Sequence, residues 1–340
     1  MEFDNEYEYN YGNDSKNNYI KQMNNIYKIC KSSVKIILPN NNVSSGFFMK
    51  LLRNKKNFYC LITNEHAITP EMIQNNDIII ILYENESNNL IIKLDKTERI
   101  IECFEESLNI DITVVEIIPK DRMDASYFLE KYDSQNENLN LDEYIGREMQ
   151  LIQYPQGKAL SFSEGIILGN YSDNIYLFTH TANTKYGSSG SPIFLKGDDK
   201  VFAIHKGKLA ETKENVGILL EIIYDIFKDY KKEGYFIEYY ENGEVKYKGN
   251  FSDDKYNDIN GQLIYENKEY YIGGFKNGIR EGKGIEYYSN QDVKYNGLFL
   301  NDKYNDKNGL FYETDGYFYN GEFKNGKKMV TVYIITMKIN

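Results

Sequence analysis

"TKYGSSGSPIFL", Thr184–Leu195, sets three serines and two glycines just ahead of an apolar run. A turn of this composition is common as a plain connection between strands. The same stretch can present a nucleophile, and the rest of the chain decides between the two. A serine becomes nucleophilic only beside a base, an acid that orients the base, and fixed donors for the oxyanion. Rigid β scaffolds with loops at their ends are the usual way to hold such groups.

The surrounding sequence supplies that scaffold. Between about residues 27 and 222 run short apolar stretches broken by polar turns, among them "SGFFMKL", "FYCLIT", "DIIIILY", "DITVVEII", "MQLIQY" and "VFAIHK". Their length and their β-branched and aromatic content predict strands, packed as a sandwich or as a pair of small barrels. Helices are expected only at "DRMDASYFLEKYD" (121–133) and "EIIYDIFKDYKK" (221–232).

Composition narrows the function classes. The chain has 340 residues, enough for about two domains, and 41% of them are hydrophobic, enough for real cores. A formal charge of −11 argues against nucleic acid as the main partner, because phosphate binding needs concentrated Lys and Arg. No secretory signal is visible in the acidic, Asn-rich first 25 residues, which read as a disordered arm. The longest aliphatic run, "IIIIL" at 78–82, is far short of a membrane span. Cys30, Cys60 and Cys103 have no metal-like spacing and an odd count, and read as reduced thiols of an intracellular protein. No phosphate-binding glycine loop and no metal-spaced His/Cys cluster appears, so neither cofactor nor metal is expected.

Only His66, His180 and His205 can supply the base. His66 ends the strand-like "FYCLITNEHAIT", Asp111 opens the buried-looking "DITVVEII", and Ser189 lies in the Gly/Ser turn. The chain order His, Asp, Ser is one of the orders in which this triad is known to occur. Taken singly, each residue has a plain structural explanation; the conjunction of order, strand-end placement and spacing carries the functional one.

On these residues the segment from about 30 to 228 resembles a trypsin-like serine protease, a double β-barrel of the chymotrypsin class. The resemblance implies His66 as general base, Asp111 as its orienter, Ser189 as nucleophile, and the N–H groups of Gly187 and Ser189 as the oxyanion hole. Ser188 stands where many secreted relatives carry an Asp that pairs with a newly cut N-terminus, so activation by that ion pair is not expected. The match is closest to the bacterial-type branch with glutamyl endopeptidases. In that branch His205, in "KVFAIHKGK", would be the pocket histidine and Thr184 would face it. Together they imply preference for an acidic residue before the cleaved bond. His180, in "LFTHTANT", reads as structural.

From about Gly234 the pattern becomes a repeat. Tyr247-Lys-Gly249-Asn-Phe251 recurs at Tyr271, Tyr295 and Tyr319, in steps of 24 residues. Such a period predicts stacked hairpins that bury their aromatic faces on one another. With "KNGIREGKG" and "KNGKK" after the second and fourth copies, residues 234–328 resemble MORN repeats. First and third copies place Asn257 and Asn305 where a turn glycine is usual. The resemblance implies a β-hairpin solenoid that binds protein or membrane partners. Residues 231–330 hold 15 Lys/Arg against 17 Asp/Glu, which gives no support for an electrostatic lipid surface.

The expectation is a mainly β chain. An arm spans 1–25, a protease domain 26–232, the repeats 233–328, and a closing strand or tail 329–340. It acts on proteins or peptides in the cytoplasm, at membranes or at the cytoskeleton. The competing reading is a silent protease fold that serves as a scaffold.

Overall fold

The computed structural model describes residues 13–73, 76–82, 89–104, 110–133, 140–171, 174–209 and 212–329. It divides into two compact units: Met1–Leu94, Glu102–Val115 and Asp124–Lys228 in one, Asp95–Ile101, Glu116–Met123 and Asp229–Asn340 in the other. The second unit therefore takes two short segments from inside the first, which a division into contiguous stretches does not express.

The double-barrel class is realised as one seven-stranded sheet and one closed barrel. Strands β1 (Ser33–Ile37), β2 (Val43–Arg53), β3 (Lys56–Thr63), β4 (Asn76–Ile81), β5 (Asn89–Leu94), β6 (Ile101–Cys103) and β7 (Thr113–Glu116) make the sheet, in the order β5-β4-β1-β2-β3-β7-β6. The barrel consists of β8 (Glu148–Gln153), β9 (Ser161–Asn170), β10 (Leu177–His180), β11 (Pro192–Leu195), β12 (Ala203–Lys208) and β13 (Asn215–Leu219), closed as β10-β13-β12-β11-β8-β9. Met149, Leu151, Ile167, Phe178, Ile193 and Phe202 fill its interior. Closure removes open strand edges, and alternate inward residues pack a dry core.

Three local expectations are corrected. Residues 13–25, read as part of a disordered arm, open the helix α1 (Asn13–Ser32), whose last turns bury Ile29 and Cys30; residues 1–12 lie outside the described residues. The stretch 121–133 is not a helix. It forms a short 3-10 turn at Ala125–Tyr127, where Asp124 accepts from the Ser126 N–H, and then Leu129 and Lys131 bridge to Met49 and Val201. Long-range pairing outcompetes the local helical pattern there. The closing helix α2 (Glu221–Phe227) is shorter than expected, and the Lys228 carbonyl just beyond it accepts from the Asn54 N–H at 3.1 Å.

The other unit is an antiparallel meander, with main strands Gly234–Tyr239, Val245–Ser252, Asp258–Ile264, Tyr270–Lys276, Ile279–Tyr287, Val293–Leu300, Asp306–Tyr312 and Phe318–Lys324. Tyr247, Tyr271 and Tyr295 are fully buried. Each hydroxyl returns to the backbone carbonyl three residues on, as Tyr271 does to Gly274 at 3.1 Å. Each ring meets the Phe of its own repeat and that of the next, with Tyr271 centroids 5.2 Å from Phe275 and 4.8 Å from Phe299. The glycine between them is required. A Cβ on Gly273 would stand 2.5 Å from the Tyr271 hydroxyl, and Gly249, Gly297 and Gly321 are equally crowded by their own tyrosines.

The tight turns use left-handed pairs Asp253-Asp254, Asn277-Gly278, Asn301-Asp302 and Asn325-Gly326. Asn257 and Asn305 are not the turn residues; their N–H groups donate to Asn250 and Leu298 in the strands. Asp and Asn tolerate the left-handed region, so the turn moves without needing glycine. Met329 is the last described residue, and the closing strand expected over 329–340 otherwise lies outside the described residues.

Candidate active site

β3 and β7 are neighbours in the sheet, and this brings the loop after β3 to the lead-in of β7. Asn64 Nδ2 donates to the Asp111 carbonyl at 2.7 Å, and Thr113 Oγ1 to the Ile68 carbonyl at 2.8 Å. Between these ties His66 and Asp111 meet twice. The His66 N–H donates to Asp111 Oδ1 at 3.0 Å, and His66 Nδ1 lies 2.7 Å from Asp111 Oδ2. With a nearly buried carboxylate as its partner, Nδ1 carries the ring proton and Nε2 is left as a lone pair. The Asp111 hydrogen bond raises the His66 pKa, opposed first by burial and then by nearby Lys206. The imidazole, half exposed, faces solvent.

Ser189 lies on the turn between β10 and β11. Gly187 (φ +85°) and Gly190 (φ +86°) both take the left-handed conformation. A Cβ on Gly190 would lie 2.0 Å from the Ser45 carbonyl oxygen, so no other residue fits. Every carbonyl of the turn from 186 to 189 is engaged. Tyr186 O accepts from the Gln156 N–H at 2.6 Å and Ser188 O from the Ser191 N–H at 3.2 Å. Gly187 O accepts from Ser45 Oγ at 2.7 Å. Ser189 O accepts from the Ser45 N–H at 2.9 Å and from Ser44 Oγ at 2.9 Å. By contrast, the Gly187 and Ser189 N–H groups donate to no other described residue. A peptide N–H points opposite to its carbonyl, so engaging Tyr186 O and Ser188 O turns these two donors to the other side.

Ser188 is buried, and its hydroxyl accepts from the Lys185 N–H at 3.1 Å. Among the described residues Ser189 Oγ makes no hydrogen bond to His66. Hydrogen bonds of this kind are often long before substrate arrives.

His205, on β12, borders the same turn: its carbonyl accepts from the Gly190 N–H at 3.0 Å and its N–H donates to Ser191 O at 2.9 Å. Its ring is fully buried, with Nδ1 3.3 Å from His180 Nε2. Burial pushes the His180 pKa down to about 4, and burial plus the neighbouring imidazole pushes His205 well down. Both rings are neutral near pH 7. The Thr184 hydroxyl bonds Asn215 Oδ1, and Asn215 Nδ2 donates to the Ala182 carbonyl at 2.8 Å. Thr184 and His205 make no hydrogen bond to each other among the described residues.

Sequence reasoning did not single out Ser44, Ser45, Gln156, Lys206 or Lys208. A signal existed for the first two: two small hydroxyl residues side by side at the start of a strand otherwise built largely of Phe, Met and Leu. Among the described residues no group of three or more His, Cys, Asp or Glu is placed to hold a metal ion, and no helix is long and apolar enough to cross a membrane.

Residues 44–204 match the family described as trypsin-like peptidase domain, a stretch that contains His66, Asp111 and Ser189. Three solved structures are similar to the chain. Deg5 matches with a TM-score of 0.42 and 14% identity, over 61% of this chain and 92% of that one. The serine endoprotease from Yersinia pestis matches with a TM-score of 0.42 and 16% identity, over 60% and 64%. Rv3671c from M. tuberculosis H37Rv, in an inactive form, matches with a TM-score of 0.39 and 12% identity, over 59% and 87%. No curated protein matches the chain.

Proposed function

We propose that the chain is a serine endopeptidase. His66 Nε2 takes the proton of Ser189 Oγ as that oxygen attacks the substrate carbonyl, and the Gly187 and Ser189 N–H groups receive the oxyanion. The tetrahedral intermediate collapses to an ester on Ser189 as His66 returns the proton to the leaving amine. Water then repeats the sequence and frees the acid. Asp111 holds the ring in place through the Nδ1 hydrogen bond. The observation that supports this reading is the complete engagement of the carbonyls from Tyr186 to Ser189, which leaves the Gly187 and Ser189 N–H groups without a partner among the described residues, together with an imidazole held by Asp111.

The substrate is a protein or peptide, with an acidic residue preferred before the cleaved bond. The hairpin repeats act as MORN-type modules that bind a protein or membrane-surface partner and localise the enzyme in the cytoplasm. A silent scaffold is the second reading, favoured by one observation, the missing Ser189 Oγ to His66 bond. Labelling with a fluorophosphonate probe separates the two. Labelling of the native chain but not of Ser189→Ala establishes the nucleophile. An unlabelled, folded native chain establishes the scaffold.

A further inference from the structure

A cleft of about 430 Å³ lies among the hairpin turns of the repeat unit, and its lining includes Tyr288, Asp292, Tyr312, Glu313, Gly316 and Tyr317. What fits it can be read from the chain's own repetition. Tyr240, Glu244 and Lys268 stand 48 residues, two periods of 24, before Tyr288, Asp292 and Gly316. The backbone keeps the same register. The Tyr240 and Tyr288 N–H groups each donate to the carbonyl four residues on, at 2.8 and 2.9 Å. Their hydroxyls donate to the Ile264 and Tyr312 carbonyls, both at 2.7 Å. Asn242 Nδ2 donates to Glu244 at 2.9 Å, as Asn290 Nδ2 does to Asp292 at 2.7 Å.

The two pairs of turns differ in one occupant. In the first, the Lys268 side chain crosses to the Glu244 carboxylate and pairs with it. That hydrogen bond, with a second from Asn242, holds the Glu244 carboxyl below its usual range. In the second, residue 316 is glycine and no side chain crosses; nothing lies within 4 Å of a Cβ added there. Among the described residues Asp292 has no ion pair, and its one side-chain partner is Asn290. The neighbouring charges are taken: Glu313 by Lys328, and Lys294, 5.4 Å from the centre of the Tyr288 ring, by Glu269 and Glu286. The described residues of the lining include no Lys or Arg but three tyrosines, of which Tyr317 stands where the first pair has Glu269 and is 49% exposed. A carboxylate without a counter-cation, set beside ring faces, suits an ammonium group.

We propose that this cleft takes the ε-ammonium group of a lysine side chain presented by a protein partner, in the place that Lys268 fills one pair of turns earlier. Asp292 accepts from the ammonium, and the tyrosine rings cover the methylene stem. The chain's own Lys268 is the precedent for the bound group. The inference rests on the reading of the repeats as a binding module and gives the partner of that module a chemistry. Such exposed pairing is modest and screened by salt.

The test uses the full chain carrying Ser189→Ala, so that no probe is cleaved. The probes are the peptide acetyl-Gly-Gly-Lys-Gly-Gly-amide and its norleucine counterpart, which keeps the stem and lacks the charge, titrated at low salt by saturation-transfer NMR. The lysine peptide is expected to bind about 3- to 20-fold tighter. That ratio is expected to fall to one in Asp292→Asn and in Gly316→Lys. The second substitution recreates the first pair of turns, where Lys268 itself holds φ +68°. Equal or absent binding of the two peptides overturns the lysine site, and so does a ratio that survives either substitution. The reading of the repeats as a binding module is tested apart, by sedimentation with vesicles of phosphatidylcholine and about one fifth phosphatidylserine. If the peptides fail and the chain still sediments with the vesicles, only the lysine site falls; if both fail, the module reading falls with it.

Discussion

Ser45 Oγ donates to the carbonyl of Gly187 at 2.7 Å, across 142 residues of sequence. The same hydroxyl accepts from the Tyr154 N–H at 3.1 Å, and the Ser45 N–H holds the Ser189 carbonyl. One residue at the start of β2 thus fixes the turn on both sides of Ser188, where secreted relatives are expected to use an ion pair. Ser45→Ala removes the donor and leaves buried polar groups unpaired, a cost of about 1–3 kcal/mol. The fluorophosphonate labelling rate should fall about 10- to 100-fold in protein that is still folded, because the proposed oxyanion donors would lose their fixed aim. A lower melting temperature with an unchanged labelling rate would reduce Ser45 to a packing residue.

Asp111 raises the His66 pKa above the ordinary imidazole value of 6.5. The proposed base is the neutral ring, so the acid limb of kcat/KM should have its midpoint above pH 6.5. Asp111→Asn removes the largest cause of the shift. It should move that midpoint downwards and lower kcat by about 10³- to 10⁴-fold. The linkage to stability has its own sign. The folded chain binds this proton more tightly than the unfolded one, so the contribution is full below pH 6.5 and is lost as pH rises through the raised pKa. With the ring half exposed, that contribution is small. A pH–rate profile whose limb is the same in both proteins would detach Asp111 from His66.

The buried imidazole pair has the opposite sign. His180 and His205 are neutral when folded, and His180 titrates at about 4 against 6.5 for an ordinary histidine. Between these values the unfolded chain binds more protons. Stability is therefore complete above pH 6.5 and is lost as pH falls towards 4. His180→Phe keeps the ring volume and removes one titrating group. Its denaturant midpoint should fall less between pH 6.5 and pH 4 than that of the native chain. Parallel losses in the two proteins would show that acid acts elsewhere.

How much of this was legible in the sequence depended on range. Strand runs and the 24-residue repeat carry their signal locally, in alternation and in Tyr-x-Gly-x-Phe spacing. His66, Asp111 and Ser189 stood out because their residue types are chemically distinctive. Ser44 and Ser45 stood out only as hydroxyls in an apolar strand; nothing local pointed to their partners, which lie 145 and 142 residues away. The helix expected at 121–133 failed for the same reason: Leu129 and Lys131 bridge to Met49 and Val201, and only a short 3-10 turn at Ala125–Tyr127 remains. Asn257 misled as a turn residue because Asp253-Asp254, two ordinary acidic residues, accept the left-handed turn instead.

The repeats offer a test of packing against backbone strain. Gly273 sits under the Tyr271 ring, where a Cβ would also lie 2.5 Å from the Gly284 Cα and from the Lys283 carbonyl oxygen. Neither backbone atom can yield without opening the hairpin. Gly282 has φ +85° but nothing within 4 Å of an added Cβ. Gly282→Ala should therefore cost only the strain of a left-handed alanine, about 1–2 kcal/mol. Gly273→Ala adds overpacking of about 1–3 kcal/mol or more, and displaces a ring that bridges two repeats. Thermal unfolding followed by the near-ultraviolet tyrosine signal should show the larger drop for Gly273→Ala. Equal drops would mean that the glycine of Tyr-x-Gly-x-Phe serves the backbone and not the tyrosine above it.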